Sequence, residues 1–370
     1  MTRFLLSLLV MVLLTGCRTA TFYGQAVAGQ WELWARREPV MKVREKRSGD
    51  THLVGQLELV ERLCCFAEEF LGLPGKRQYR HYVELDRPYV VWNVFAAPEF
   101  SLKPKSWNYP VVGRLDYRGY FRESLAADCA GVLSGEGWDV YVGGGDAYST
   151  LGWFRDPVLS TFVDLPELDL ADLIFHELAH QRLFLSGDTD VNEAFATVVA
   201  REGVRLWLHH QGREGELAAY LENTRRDDLV VGLIYEARSE LESLYAQAGT
   251  VSKVEMRRRK EELFRQLRER YRDLVRGWTG YRGYDRWMAG TMNNAKLNAL
   301  DAYARWVPAM ECVLQGAGGL EGFYGVMDRL GRGTRAERRL HLEWFVRGVS
   351  ELRGGEGGVV QVSGSISTSP

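Results

Sequence analysis

Little in this 370-residue sequence points to a strongly charged or covalently stapled molecule. Lys and Arg number 47 against 49 Asp and Glu, a net charge of −2, so no basic field is available to hold nucleic-acid phosphates. Five cysteines are too few for a disulfide-dense scaffold, and none stands at a metal-ligand spacing. Internal repeats are missing, which leaves out a repeat array. The most apolar stretch, Phe4 to Leu14, is too short to span a bilayer comfortably. Histidine is scarce too, at seven residues, so any close pairing of histidines carries weight.

What is present is enough chain to bury a full core, as one large domain or two. The composition is that of an ordinary globular protein, rich in Trp (11) and Tyr (17). The N-terminus differs from the rest: Arg3 supplies a positive start, the apolar run follows, and Leu14-Thr15-Gly16-Cys17 closes it. That tetrapeptide resembles the bacterial lipobox. The resemblance implies a signal peptide over 1–16 and a lipidated Cys17 as first residue of the mature chain. Acyl chains there would hold an otherwise soluble body at a membrane, each buried methylene adding about 0.8 kcal/mol. Arg18 rather than Asp after the cysteine favours the outer membrane, facing the periplasm, in a cell with two membranes. In such an oxidising compartment Cys64, Cys65, Cys129 and Cys312 allow three full pairings, but they read best as mostly buried small apolar residues.

From Thr21 to Gly72 the pattern is helical, with Leu57, Leu59, Val60, Leu63, Phe66 and Phe70 close to one face. Tyr79–Leu85 and Tyr89–Phe95 alternate around Asp86-Arg87-Pro88 and predict a hairpin. Residues 96–120 read as an ordered loop with a short strand near Val111. A helix near 121–133 and a strand at 138–142 follow. Gly143-Gly144-Gly145 leads into 148–154, either a plain hairpin or an exposed edge strand able to pair with a peptide backbone. After Leu168 everything reads as helix, including a charged stretch at 251–278 whose cluster at 257–260 is answered by Glu261, Glu262 and Glu269 as a wet face. From Gly354 the chain is Gly, Ser and Thr with little to bury, and disorder is expected. The fold class is therefore α+β, mainly helical, with a small mostly antiparallel sheet preceding the helix at 168–185 and one compact domain over 17–353.

That helix carries His176-Glu177-Leu178-Ala179-His180, with Asp169 as its expected cap and Asp172 in its first turn. Residues four apart are neighbours on a helix, so the two imidazoles can hold one zinc ion while Glu177 reaches water on the same metal. The bland alternative is a pair of histidines hydrogen-bonded within a core. Catalytic zinc takes a third protein ligand. The metzincin pattern fails, since the position six after His180 is Ser186 and the expected Gly is Leu183. A carboxylate from the next helix remains. The chain runs about 9 Å past His180, turns at Gly187 and returns about 4.5 Å to Glu193. Glu193 could instead close a capping box with Asp190, leaving Asp188, Asp190 and Glu202 as reserves.

IFHELAHQ at 174–181 followed by GDTDVNEAFAT at 187–197 resembles the bacterial predicted-aminopeptidase family of gluzincin-type zinc peptidases. The likeness extends through YGQAVAGQ (23–30), VVWNVFAAPEFSL (90–102), YRGYF (117–121), YSTLGWFRDP (148–157) and NNAKL (293–297), nearly all of the mature chain. It implies a zincin-like catalytic domain with Glu193, of the Asn-Glu pair, as third ligand, separated from His180 by twelve residues. The Gly-Ala-Met-Glu-Asn signature that grips a free amine in the larger zinc aminopeptidases is absent; Asp146, Asp156 and Glu99 are the carboxylates that could replace it.

The resulting expectation is a zinc peptidase, by the resemblance an aminopeptidase, acting on peptides with one Zn(2+) per chain and Glu177 as general base, then general acid. Tyr303, Tyr284, Tyr281 or Tyr148 could stabilise the oxyanion, and Asn192 and Thr197 could orient the ligands. An endopeptidase acting on envelope peptides is one alternative. A surface lipoprotein with a closed, structural zinc site is the other, and the spare Glu177 argues against it.

Overall fold

The N-terminal helical stretch breaks into three helices: α1 over residues 21–35, α2 over Val40–Lys46 and α3 over Thr51–Phe70. They open a computed structural model that describes residues 21–109, 113–147 and 155–354, side chains at 302–304 and 346–354 excepted. α3 begins where the Asp50 carboxylate accepts from the Leu53 N–H, satisfying one of the donors that a helix start leaves unpaired. Its buried face carries Leu53, Leu57, Val60, Leu63, Cys64 and Ala67, the spacing of an amphipathic helix.

The strands described, in chain order, are β1 (Glu38–Pro39), β2 (His81–Val83), β3 (Val91–Pro98), β4 (Trp107–Tyr109), β5 (Gly113–Leu115), β6 (Arg118–Tyr120), β7 (Trp138–Gly145) and β8 (Val158–Leu159). They form two small three-stranded sheets, β1-β2-β8 and β6-β3-β7, and a β4-β5 hairpin. All pairings are antiparallel except β2 with β8.

The hairpin expected between 79–85 and 89–95 does not form. β2 is flanked by β1 and β8, and β3 by β6 and β7, so the two segments belong to different sheets. The intervening turn is drawn to α1 instead, where Arg87 donates to both oxygens of Glu32 at 3.0 and 2.9 Å. β7 also runs farther than expected and takes in Gly143–Gly145, with Gly145 opposite Val91. The candidate strands near Val111 and at 148–154 lie outside the described residues.

The remaining helices are α4 (Glu123–Gly135), α5 (Glu167–Arg182), α6 (Thr189–His210), α7 (Glu214–Tyr245), α8 (Lys253–Leu274), α9 (Asp285–Ala289), α10 (Asn294–Ala304), α11 (Val307–Ala317), α12 (Leu320–Arg332) and α13 (Arg335–Gly354). The molecule is mainly helical with small, mostly antiparallel sheets. α3, α5, α6, α11 and α12 share the largest core, α7 and α8 build a second one, and the β6-β3-β7 sheet with α4 covers a third.

α8 is less wet than its charge suggests. Met256, Phe264, Leu267 and Tyr271 are buried, and the buried Lys260 donates to Asp139 at 2.6 Å and to the Glu99 carbonyl at 2.8 Å. Arg258 and Arg259 of the basic run pair with Glu255 of their own helix, and Arg257 reaches out to Glu99, with Glu261 and Glu262 adding their charge. Of Cys64, Cys65, Cys129 and Cys312 only Cys64 is buried, its thiol pushed up to about 12 by burial; Cys65 is exposed. Among the described residues no helix is long and apolar enough to cross a membrane.

Candidate metal centre

α5 and α6 form an antiparallel pair because each carries a continuous apolar stripe. Leu170, Ile174 and Leu178 make one i, i+4 row of α5, and Ala171, Phe175 and Ala179 make another, all without exposed surface. His176, Glu177 and His180 are left at the margin of that stripe. α6 answers with Val191, Ala194, Phe195, Val198 and Val199. Close approach depends on Gly203, where a Cβ would lie 2.7 Å from the Phe175 ring and 2.9 Å from Leu71. The connection reverses at Gly187, whose φ of 75° suits a residue without Cβ.

The helix start differs from expectation. α5 begins at Glu167 after Pro166, and Asp169 lies inside the first turn rather than capping it. Both acids still oppose the positive end of the helix dipole.

This packing brings together three side chains from two helices. His176 Nε2 lies 3.2 Å from Glu193 Oε2 and 3.1 Å from His180 Nε2. His180 Nε2 is 3.5 Å from the same carboxylate oxygen. Bonds of roughly 2.0–2.2 Å in a tetrahedral zinc site separate ligand atoms by about 3.3 Å. The observed separations bracket that value. Two imidazoles and one carboxylate are also the donor set of a catalytic site that keeps a fourth position open, and among the described residues no further His, Cys, Asp or Glu joins the group. His180 Nδ1 is buried and has no hydrogen-bond partner among the described residues. The residues therefore fit a divalent ion.

The electrostatics are those of a site waiting for positive charge. Burial opposes the cationic form of His176, but the hydrogen bond and charge of Glu193, with Glu177 and Asp172 beyond, lift its pKa to about 9. Burial likewise opposes the Glu193 carboxylate, yet the charges and hydrogen bonds of His180 and His176 hold it down to about 2. Glu177 moves the other way. Burial raises its pKa, the two histidines only partly counter this, and Glu193 and Asp156 add to the rise. Its carboxylate makes no hydrogen bond to a described residue.

A model of the family described as "Putative aminopeptidase" matches residues 21–342. The chain belongs to that family. No curated protein and no solved structure matches it. The matched span includes α5, α6 and all three converging side chains, while Cys17 lies before it.

The other candidate residues of this aminopeptidase-family chain are arranged around that centre or away from it. The Asp190–Glu193 capping box is not formed. Glu193 faces the histidines, and Asp190 accepts from Trp306 Nε1 at 3.1 Å and Arg339 at 2.7 Å. Asp188 and Glu202 are engaged by Arg338 and Arg205. Asn192 pins the turn rather than touching a ligand: its amide exchanges two 2.8 Å hydrogen bonds with the Leu185 backbone. Tyr281 donates to Asp227, and the Tyr284 ring packs beside Trp287. Tyr148 and the Tyr303 side chain lie outside the described residues. Glu99 is bound by Arg257, and Asp146 has its pKa raised by burial.

Asp156 stands apart from these other carboxylates. It is buried, accepts from Gln181 at 3.4 Å, and its backbone N–H donates to Gln78, whose own amide donates to Gln181 at 2.8 Å. Sequence reasoning missed Gln78, Tyr79 and Gln181. Tyr79 is buried within reach of the charges of Glu177 and Asp156, which with burial raise its pKa. It has a φ of 55°, uncommon without glycine. Nothing in its sequence context signals that, since the residue sits at the head of an alternating run.

Proposed function

We propose that the chain is a gluzincin-type zinc peptidase, an aminopeptidase held at the cell envelope by acyl chains on Cys17. One observation supports this reading most. His176, His180 and Glu193 converge at ligand-to-ligand distances, while the Glu177 carboxylate beside them is hydrogen-bonded to no described residue.

In this reading His176, His180 and Glu193 hold one zinc ion per chain. When bound, zinc supplies the Lewis acidity that brings a water pKa down to about 7 and polarises a peptide carbonyl. Glu177 takes the proton from the attacking water and hands it to the amine leaving the scissile bond. A carboxylate whose pKa is raised by burial suits both transfers, because it is a stronger base and still gives the proton back. Asn192 and Asp188 keep the α5–α6 turn closed so that Glu193 stays opposite the histidines. We assign the substrate's free amine to Asp156, whose charge reaches Glu177; Glu99 is already committed to Arg257. Among the described strands β7 lies at the edge of its sheet, and an extended peptide can pair with such an edge.

The test is the metal content of the purified protein together with hydrolysis of a peptide library, with and without chelator, read by mass spectrometry. One zinc per chain and chelator-sensitive removal of N-terminal residues are expected. Turnover that ignores the chelator, or cuts only at internal bonds of N-blocked peptides, would overturn the reading.

A further inference from the structure

α1 is apolar on two faces. Phe22, Gln25, Gly29 and Leu33 turn inward, Leu33 into the largest core and Phe22 into the core below the β6-β3-β7 sheet. Gln25 accepts from the Phe121 N–H at 2.9 Å and donates to the Gly119 carbonyl at 3.4 Å. The Arg118 guanidinium lies 3.9 Å above the Phe22 ring. With Arg87 gripping Glu32 as well, the helix is fixed to the body and not merely laid on it.

The other face meets water. Tyr23, Val27, Trp31 and Trp34 are 39, 70, 63 and 57% exposed, and the two indoles lie 5.2 Å apart. At 3.6 residues per turn these four side chains fall within an arc of about 80° along about 16 Å of helix. A contiguous apolar stripe of this kind marks an interaction surface.

The chain itself indicates what covers it. Cys17 lies four residues before Thr21, so an extended connection places the cysteine no more than about 14 Å from the start of α1. No described helix is able to cross a membrane, but Trp and Tyr favour the water–lipid boundary, where an amphipathic ring has both media. An acyl-bearing Cys17 brings that boundary to the stripe.

We infer that the Tyr23–Val27–Trp31–Trp34 face of α1 lies in the interface of the bilayer that holds Cys17, so that the body is oriented by its first helix as well as tethered. The inference goes beyond the peptidase reading and needs from it only the membrane. Because α1 is bolted to Gly119 and Phe121, the stripe presents the metal centre to the bilayer at a fixed attitude.

The full-length protein, purified from membranes, is reconstituted in vesicles of phosphatidylethanolamine and phosphatidylglycerol with brominated acyl chains, and tryptophan emission is recorded. Bromine quenching is expected in the unaltered protein and should be lost in the double variant Trp31→Phe, Trp34→Phe, which keeps the stripe apolar. Trp344→Phe, at an indole equally exposed on α13, should leave the quenching unchanged. Absence of quenching, or quenching that survives the double variant, overturns the inference. So does protection of Trp31 and Trp34 from a water-borne quencher without bromine quenching, the result if a second copy covers the face. The mass of the N-terminal peptide reports acylation separately: an unacylated Cys17 overturns the inference as stated, even if the stripe is still quenched. Hydrolysis of the peptide library tests the enzyme on its own.

Discussion

Arg338 grips the wholly buried carboxylate of Asp188, with Nε and Nη2 at 2.8 and 2.7 Å from Oδ2. Arg335 takes the other oxygen at 3.1 Å. Asp188 immediately precedes α6, so α13 clamps the turn that brings Glu193 to the histidines. Asp188→Ala leaves Arg338 buried and unpaired and should cost about 3–5 kcal/mol. Chemical denaturation checks this, and the double variant Asp188→Leu, Arg338→Leu should lose less than the single one. An unshifted midpoint for Asp188→Ala would show that the clamp contributes nothing.

Glu177 and His180 should separate chemistry from metal binding. Glu177→Gln is expected to keep zinc and fold while hydrolysis falls about 10²–10⁴-fold, the usual range for a lost general base. His180→Ala should lose the metal. Elemental analysis beside turnover measures both, and full activity in a clean Glu177→Gln preparation would remove the mechanism.

Metal uptake should depend on pH through His176. Zinc requires a neutral imidazole, and in the metal-free protein His176 titrates at about 9, so binding releases a proton below that value. Affinity is expected to climb as pH rises toward 9 and then level off. The metal-free fold follows the opposite sign. The His176 contribution is complete below its ordinary 6.5 and fades as pH rises to about 9. That of Glu193 is complete above 4.5 and fades as pH falls toward 2. Calorimetry in buffers of different ionisation heat reads the proton, and zinc affinity flat between 6.5 and 9 would contradict the assignment.

Gly203→Val would drive a side chain into Phe175 and Leu71. Overpacking of this kind costs about 1–3 kcal/mol, and because Phe175 adjoins His176 the variant should bind zinc more weakly as well. Thermal unfolding with and without zinc tests both effects; unchanged curves would mean that the helices yield freely.

Asp156→Asn removes the charge assigned to the substrate amine. Losing a hydrogen bond to a charged group costs about 1.5–3 kcal/mol, so kcat/KM for peptides with free N-termini should drop about 10–100-fold. N-acetylated peptides should be indifferent. Equal losses on both would leave Asp156 only a packing role beside Gln181.

How much of this was legible follows from the range of each interaction. The N-terminal helices and those after 168 follow from apolar periodicity, which depends on neighbours a few residues away. The close approach of His176 and His180 follows from helix pitch alone. Strand partners do not: β2 pairs with β8, so that Tyr82 stands opposite Val158, and the hairpin predicted from its own alternation is wrong. The left-handed Tyr79 and the buried Lys260 escaped for the same reason, since each is held by groups far along the chain.

By itself, the sequence determined a helix bearing two histidines one turn apart, with a glutamate next to the first and acids on the helix after it. Only tertiary structure decided that Glu193, rather than Asp188, Asp190 or Glu202, faces them. Asp188 and Asp190 are claimed by arginines of α13 and by Trp306 just before α11, and Glu202 by Arg205 of its own helix; competition for a buried cation cannot be read from spacing. Helical periodicity is written in adjacent residues, whereas the choice among carboxylates depends on which charges the folded core brings within reach.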